Sequence, residues 1–260
     1  MKTFPFLVTR LGRMLTLVGF LFSTLGALTN ARSELLFADS FNYSVGKLDG
    51  QGPPPGSPPG QGGWVASNNQ PRVASHDLIF GAGTCARLHS ILGTVSDEAI
   101  AAIGPVTPDY GVVWIGFLMK KEEGDLRNGF AVVVVIGESI SDPSVGIGML
   151  FDRKRYGLDN NTGAPGSKSL SDVTVTGQTT WLVTKLDFTA GQEYLWINPS
   201  SDGEPDIADA DADLKMTPEF QAVGFHNLRL RVGYAHATFQ FDELRAGTEF
   251  ADVVLPQRAR

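Results

Sequence analysis

The sequence predicts an all-β protein built as a two-sheet antiparallel sandwich. Three observations predict it. From Leu228 to Tyr234 the apolar residues take every second position (Leu228, Leu230, Val232, Tyr234), with Arg229 and Arg231 between them. Side chains of a strand alternate sides, so this pattern gives one buried and one wet face; a helix would set Arg229 beside Val232 and leave no apolar stripe. Val112–Met119 and Phe130–Ile136 are continuously apolar, rich in β-branched residues and of strand length. That implies central strands covered on both faces. Finally, strand-like segments follow one another with no alternating helical pattern, and the 30 glycines and 15 prolines suit many short turns.

Residues 1–31 stand apart from the fold. Lys2, Arg10 and Arg13 are followed by the apolar run Met14–Leu28, and Thr29-Asn30-Ala31 places small residues at the −3 and −1 positions of a cleavage site. This reads as a signal peptide. The run is short for a membrane span, which takes about 20 residues; an uncleaved N-terminal anchor is the other reading. The expectation is a secreted, periplasmic or cell-envelope protein whose domain covers 32–255, followed by a disordered tail at 256–260.

Leu35–Tyr43 reads as the opening strand. Asp39 shares the phase of Phe37 and Phe41, and a buried carboxylate needs a partner. Gly50–Gly63, rich in Pro and Gly, reads as a mobile surface loop. Trp64–Ala66 and Leu78–Phe80 read as short strands. Asp97–Ile103 reads as one or two helical turns, capped by Ser96 or Asp97 and ended by Pro105 and Pro108. Lys120–Asn128 is a charged loop. Val145–Phe151 alternates large residues with Gly146 and Gly148, so one face is bare and something can approach the backbone there. Asp152–Gly166 is a polar turn region. Trp181–Phe188 and Glu193–Asn198, after a short strand at Val173–Thr176, form a hairpin through a Gly-containing turn. Pro199–Leu214 is an acidic loop. Asn227–Thr248 reads as a closing hairpin beside the opening strand. Ala237, Phe239 and Phe241 share one phase there, and Thr238, Gln240 and Asp242 the other. Leu244 breaks that phase, so either a bulge shifts the register or the outer face is partly covered.

A net charge of −7 argues against nucleic acid as a partner. The single cysteine, Cys85, allows no intrachain disulfide and reads as a buried, inert thiol. His76, His89, His226 and His236 are scattered without metal-ligand spacing. The D-x-D-x-D run at 209–213 lacks the Gly and distal Glu of an EF-hand loop. No catalytic residues are expected: the central strands carry no Asp or Glu, whereas glycoside hydrolysis needs paired carboxylates.

Several motifs carry a family resemblance. A-D-S-F-N-Y at 38–43, G-K-L-D-G-Q at 46–51, G-G-W at 62–64, W-L-V-T-K-L-D-F-T-A-G-Q-E-Y-L-W-I-N-P at 181–199 and F-D-E-L-R-A-G-T-E-F-A-D-V at 241–253 resemble bacterial exported domains of the concanavalin A-like lectin/glucanase superfamily. These are laminin-G-like jelly rolls, and the resemblance spans residues 35–255. It implies a jelly-roll sandwich and a non-catalytic module whose partner is a polysaccharide or glycan surface. A structural or adhesive envelope protein is the alternative, and a polysaccharide hydrolase is disfavoured by the missing carboxylates. The resemblance also implies one structural calcium ion held by Asp39 and Asp242, with loop carbonyls near Gly46. Without the ion, Asp39 would pair with an arginine such as Arg245 and Asp242 would face solvent. Trp114 and Tyr156, near the glycine-rich strand, are the candidate sugar-binding aromatics; Trp114 also reads as a core residue.

Overall fold

A computed structural model describes residues 33–67, 71–76, 78, 83–90, 96–124, 129–151, 154–234 and 236–255. The segment 1–31 read as a signal peptide and the tail 256–260 lie outside them. The strands are β1 (Leu35–Asp39), β2 (Gly46–Lys47), β3 (Val65–Ala66), β4 (Arg72–His76), β5 (Gly83–His89), β6 (Asp97–Val106), β7 (Val112–Gly124) and β8 (Phe130–Ile136). They continue with β9 (Ser144–Met149), β10 (Arg155–Asp159), β11 (Lys168–Thr174), β12 (Thr180–Asp187), β13 (Gln192–Ile197), β14 (Ala212–Lys215), β15 (Phe225–Gly233) and β16 (Ala237–Gly247). Two short helices are α1 (Pro218–Val223) and α2 (Phe250–Val253). Among the described residues no helix is long and apolar enough to cross a membrane.

The protein is an all-β sandwich of two antiparallel sheets. The nine-stranded sheet runs β14-β13-β12-β7-β16-β5-β4-β2, with β1 also paired to β16; the seven-stranded sheet runs β11-β10-β9-β8-β15-β6-β3. Their facing sides form the main core, to which alternate residues contribute: Phe37, Ile115, Phe117, Val133, Val135, Leu228, Leu230, Phe239 and Phe241. The two continuously apolar strands, β7 and β8, lie inside different sheets, and each is covered on both faces. On the outer side of β7, Trp114 and Leu118 join Trp181, Val183 and Trp196 under Phe250 and Val253 of α2 in a second core. A Cβ at Gly116 would lie 3.0 Å from both the Val253 Cβ and carbonyl, so this glycine lets α2 sit directly on the sheet. On the outer side of β8, Phe130, Val132, Val134 and Ile136 form a third cluster with Leu150.

Opening and closing strands lie side by side, Leu35 opposite Gly247 and Asp39 opposite Leu244. The hairpin of β12 and β13 also forms, Asp187 opposite Gln192. The phase break at Leu244 is a bulge: Asp242 faces Leu118 and Arg245 faces Gly116, so two residues of β16 oppose one of β7.

Several expectations are corrected, among them the charged loop from Lys120, whose first residues to Gly124 continue β7. β15 and β16 are not a hairpin. β15 pairs with β6 and β8 in one sheet, β16 with β5, β7 and β1 in the other, and Tyr234 and His236, both at positive φ, lie in the crossing. Asp97–Ile103 is strand, not helix. Its alanines have helical propensity, but Ala99, Ala101 and Ile103 bury at period two, and tertiary pairing overrides propensity. The polar region after Phe151 contains β10, and the acidic loop contains β14. The Pro-rich loop is tied at its C-terminal end: the Gln61 amide exchanges hydrogen bonds with both backbone groups of Ala38 (3.1 and 3.0 Å), and Trp64 is buried.

One core position carries a charge-bearing group. Glu193 is 0% exposed, on the same phase of β13 as core Leu195, and neither carboxyl oxygen has a hydrogen-bond partner. Thr184, diagonal to it on β12 and on the phase of core Leu182 and Leu186, also has an unpartnered hydroxyl. Burial, and then the charge of Asp159, push the Glu193 carboxyl up to about 8. An ordinary Glu titrates near 4.3 in an unfolded chain. The folded state therefore holds this proton more tightly. Stability from the site is complete below the unfolded value, falls as pH rises, and is gone above about pH 8. We expect Tm to fall between pH 5 and 8.5, and Glu193→Gln, neutral throughout, to flatten that slope and raise Tm by several degrees at pH 8.5. A melt series in which the variant parallels the wild type would contradict this.

Candidate functional site

The outer face of the seven-stranded sheet is where backbone comes to the surface. Strand register sets two rows across it. One runs Asp159, Gly146, Val134, Arg229; the next runs Gly157, Gly148, Val132, Arg231. Three glycines lie side by side there: Gly157 lets Leu150 lie against the strand, and Gly146 leaves the space beside Val132 and Val134 open. Gly148 is required where it stands, because its φ is +138° and a Cβ would lie 2.5 Å from the Ala131 carbonyl oxygen. Gly146 is different: a Cβ there meets only ordinary contacts, the nearest at 3.6 Å from Asn161. The result is a groove of about 140 Å³.

Aromatic rings close one end. Phe130, Phe151 and Tyr234 form a triangle with centroids 5.8 to 6.3 Å apart, and Phe151 and Tyr234 are each 43% exposed. The Arg231 guanidinium lies over the Phe130 ring at 5.0 Å. At the other end Asp159 accepts the Asn161 N–H (2.8 Å) and pairs with Lys168 Nζ (3.1 Å), while the Asn161 amide donates to Ser144 (3.1 Å). Exposed rings, a bare backbone floor and fixed amide, carboxylate and guanidinium groups together can hold a polar molecule that also has an apolar face.

The expected aromatics lie elsewhere. Tyr156 is 1% exposed, and its hydroxyl donates to Thr180 at 2.9 Å. It lies on β10, beside the glycine-rich strand, but on the opposite phase from Asp159, which lines the groove, so its ring faces the core. Trp114 is 2% exposed on the opposite sheet, stacked on Trp196 at 5.5 Å with Lys185 Nζ 5.1 Å from its ring centroid. The expectation of exposed rings is thus corrected for both. Trp114 does line a second cleft of about 570 Å³, between α2 and the acidic loop, where Lys185 pairs with Glu204 at 2.8 Å. Phe151, Tyr234 and Arg231 were not singled out from the sequence; the available signal was Gly146 and Gly148, which marked the neighbouring strand.

Asp39 and Asp242 come together where β16 changes partner from β5 to β1, close enough for the charge of Asp39 to act on Asp242. Both are buried, so Asp242 does not face solvent, and the Arg245 guanidinium bonds Glu243 at 3.1 Å rather than Asp39. Asp39 accepts from the Phe41 N–H (2.7 Å), the Tyr43 hydroxyl (2.6 Å) and the Trp64 indole (2.7 Å). Asp242 accepts from the Glu243 N–H (2.8 Å) and lies 3.0 Å from His76 Nε2. Because His76 Nδ1 accepts the Leu78 N–H, Nε2 carries the proton. Burial outweighs these donors: it raises Asp39 and pushes Asp242 up to about 8, with Glu243 and Asp39 adding to the latter. Burial, then Asp242 and Glu122, pushes the neighbouring Cys85 thiol up to about 12, which makes it a poor nucleophile. Among the described residues no group of three or more His, Cys, Asp or Glu is placed to hold a metal ion. Calcium takes six to eight oxygens, and here an ion would have to displace protein donors.

No protein-family model matches the chain, and no curated protein matches it. Among solved structures, a carbohydrate esterase from the Shiga toxin-encoding bacteriophage phi24B superposes with a TM-score of 0.54 at 13% identity, over 83% of this chain and 99% of that one. That likeness places the chain in the class of two-sheet β-sandwiches of which the esterase is one. The binding domain of botulinum neurotoxin DC in complex with SialylT gives 0.47 at 9% identity, over 72% of this chain and 43% of that one. The same toxin's domain in complex with rat synaptotagmin II gives 0.49 at 10%, over 84% and 50%.

Two measurements test the junction. Asp39→Ala strands three donors, each costing about 1 kcal/mol or more when buried and unmet, so denaturant unfolding is expected to show a loss of about 3 kcal/mol; a loss below about 1 kcal/mol would refute the role. Protein purified without chelator is expected to keep its Tm in EDTA. A Tm that falls on chelation, recovers with calcium and loses that response in Asp242→Ala would place an ion there instead.

Proposed function

We propose that this chain is an exported, non-catalytic glycan-binding module of the concanavalin A-like jelly-roll type, and that it binds through the groove on the seven-stranded sheet. The observation that carries the reading is the groove itself: a trough over Gly146 and two valines, with the exposed Phe151 ring at one end, Tyr234 packed beside it, and Asp159, Asn161 and Arg231 as its polar groups. A sugar ring presents C–H groups on its face and hydroxyls at its edge, which is the complement of that arrangement. The sequence motifs shared with exported jelly rolls point the same way.

Catalysis is disfavoured by where the acids lie. A general acid needs a carboxyl held protonated beside the substrate. The carboxyls whose protons are held most tightly, Asp39, Asp97, Glu193 and Asp242, line neither the groove nor the Trp114 cleft.

The purified chain is expected to bind at least one polysaccharide on a glycan array. Gly146→Phe, which fills the trough without a close backbone contact, is expected to abolish that binding while Tm stays within a degree or two. Phe151→Ala is expected to weaken it about threefold to tenfold through loss of one stacking contact. Binding to no glycan would remove the proposal and favour a structural or adhesive envelope role, and binding undisturbed by Gly146→Phe would move the site elsewhere. Release of reducing sugar from a bound polysaccharide would identify a hydrolase.

A further inference from the structure

We infer that the groove selects carboxylated glycans, uronate- or sialate-bearing chains, with Arg231 as the residue that receives the carboxylate. The inference rests on the glycan-binding reading and adds a ligand class to it.

It follows from a charge count on the groove's aromatic side. Arg231 and Arg229 are outward neighbours on β15, and Glu98 of β6, directly opposite Arg231, is the carboxylate between them. Glu98 commits to Arg229, the closer pair; its same oxygen stands 3.6 Å from Arg231 Nε, too far for a hydrogen bond. Arg231 Nε accordingly has no hydrogen-bond partner. Asp159, the acid across the groove, is taken by Lys168 and the Asn161 N–H. Two guanidiniums therefore share one carboxylate, and Arg231 has the longer, weaker share of it, in the half of the groove that holds the aromatic rings.

The position of that guanidinium sets the chemistry. It lies over the Phe130 ring at 5.0 Å and lines the groove; Nε is buried, so the donors an arriving ligand can meet are those of the terminal nitrogens. A planar fork of N–H donors matches a planar carboxylate through two parallel bonds, a geometry a neutral hydroxyl cannot reproduce. Burial and the adjacent Arg229 act against the Arg231 charge and Glu98 offsets them in part, so an arriving anion would add to an incomplete pairing. The chain as a whole carries net charge −7, so it gives no general attraction to polyanions. Preference for an acidic glycan would have to come from a local site.

The test uses paired probes: oligogalacturonate and an alginate oligomer, each as free acid and in carboxyl-reduced neutral form, with sialyllactose against lactose and a sulfated galactan as the sulfate control. Isothermal titration with the full purified chain is expected to show at least one acid form bound about tenfold or more tightly than its neutral partner, weakening as salt is raised. Arg231→Gln is expected to remove that preference and Arg231→Lys to restore it only in part. Phe151→Ala is expected to weaken acid and neutral forms alike, which separates ring stacking from charge recognition. Neutral forms bound as well as acids would overturn the inference and leave the glycan reading standing. Sulfated galactan bound in preference to every carboxylate would overturn it too. Failure of every glycan, acid or neutral, would remove the reading on which it rests. Melting curves of each variant ensure that lost binding is not lost folding.

Discussion

The whole sandwich hangs on β16, the strand that carries pairing on both edges for eleven residues. β7 lies along one side; β5 and then β1 share the other. A strand cannot change partner without a local break. The break is the bulge at Asp242–Arg245, where Glu243 takes φ +48°. Two buried carboxylates sit at that break because the ladder is interrupted there and backbone and side-chain donors need acceptors. Asp39 gathers the turn after β1 and the Trp64 indole; Asp242 gathers Glu243 and His76 of β4. The junction thus joins the first strand, the last strand and the neighbouring edge through two side chains. The raised proton affinity of both is the electrostatic cost of placing them under the core.

The two outer faces solve their exposure differently. Over the nine-stranded sheet, three tryptophans are roofed by α2, which can approach because Gly116 has no side chain. The outer face of the seven-stranded sheet is instead made of its own side chains, Phe130, Val132, Val134, Ile136 and Leu150, with an opening at Gly146 and arginines flanking the valines. The apolar floor there stays small and partly screened by charge, which is the form of surface that binds a ligand without inviting aggregation. Fold and site are consequences of the same strand register: one row of residues decides which face is filled and which is left open.

What was legible in the sequence follows from range. Period-two alternation and continuous apolar runs are local, and they identified β1, β7, β8, β9, β12, β13, β15 and β16. The bulge was visible at Leu244 because a phase break is also local. Which sheet a strand joins is not local: β15 and β16 have every mark of hairpin partners and yet face each other across the core. Asp97–Ile103 misled because alanine favours helix while its partners Leu230 and Arg229 on β15 impose a strand. Tyr156 was placed in a polar turn, because R-Y-G-L-D is too short and too charged at its ends to announce a strand; β10 forms there and turns the ring into the core. The groove's aromatics escaped for a related reason. Phe151 and Tyr234 belong to loops after β9 and β15, more than eighty positions apart, and only the fold makes them neighbours.

The distribution of acids bears on what kind of protein this is. Acid–base chemistry needs a group that both holds a proton near neutral pH and meets a substrate. In this chain those two properties fall on different residues. Glu193 and Asp242 hold protons to about pH 8, but one is enclosed between the sheets and the other is spanned by His76 and the bulge backbone. Asp159 and Glu98 lie toward the groove face, where they are paired with Lys168 and Arg229. A surface assembled this way is suited to orient a polar ligand through preformed ion pairs and rings. That separation, more than any likeness of fold to an esterase, is the physical ground for reading the groove as a place of binding.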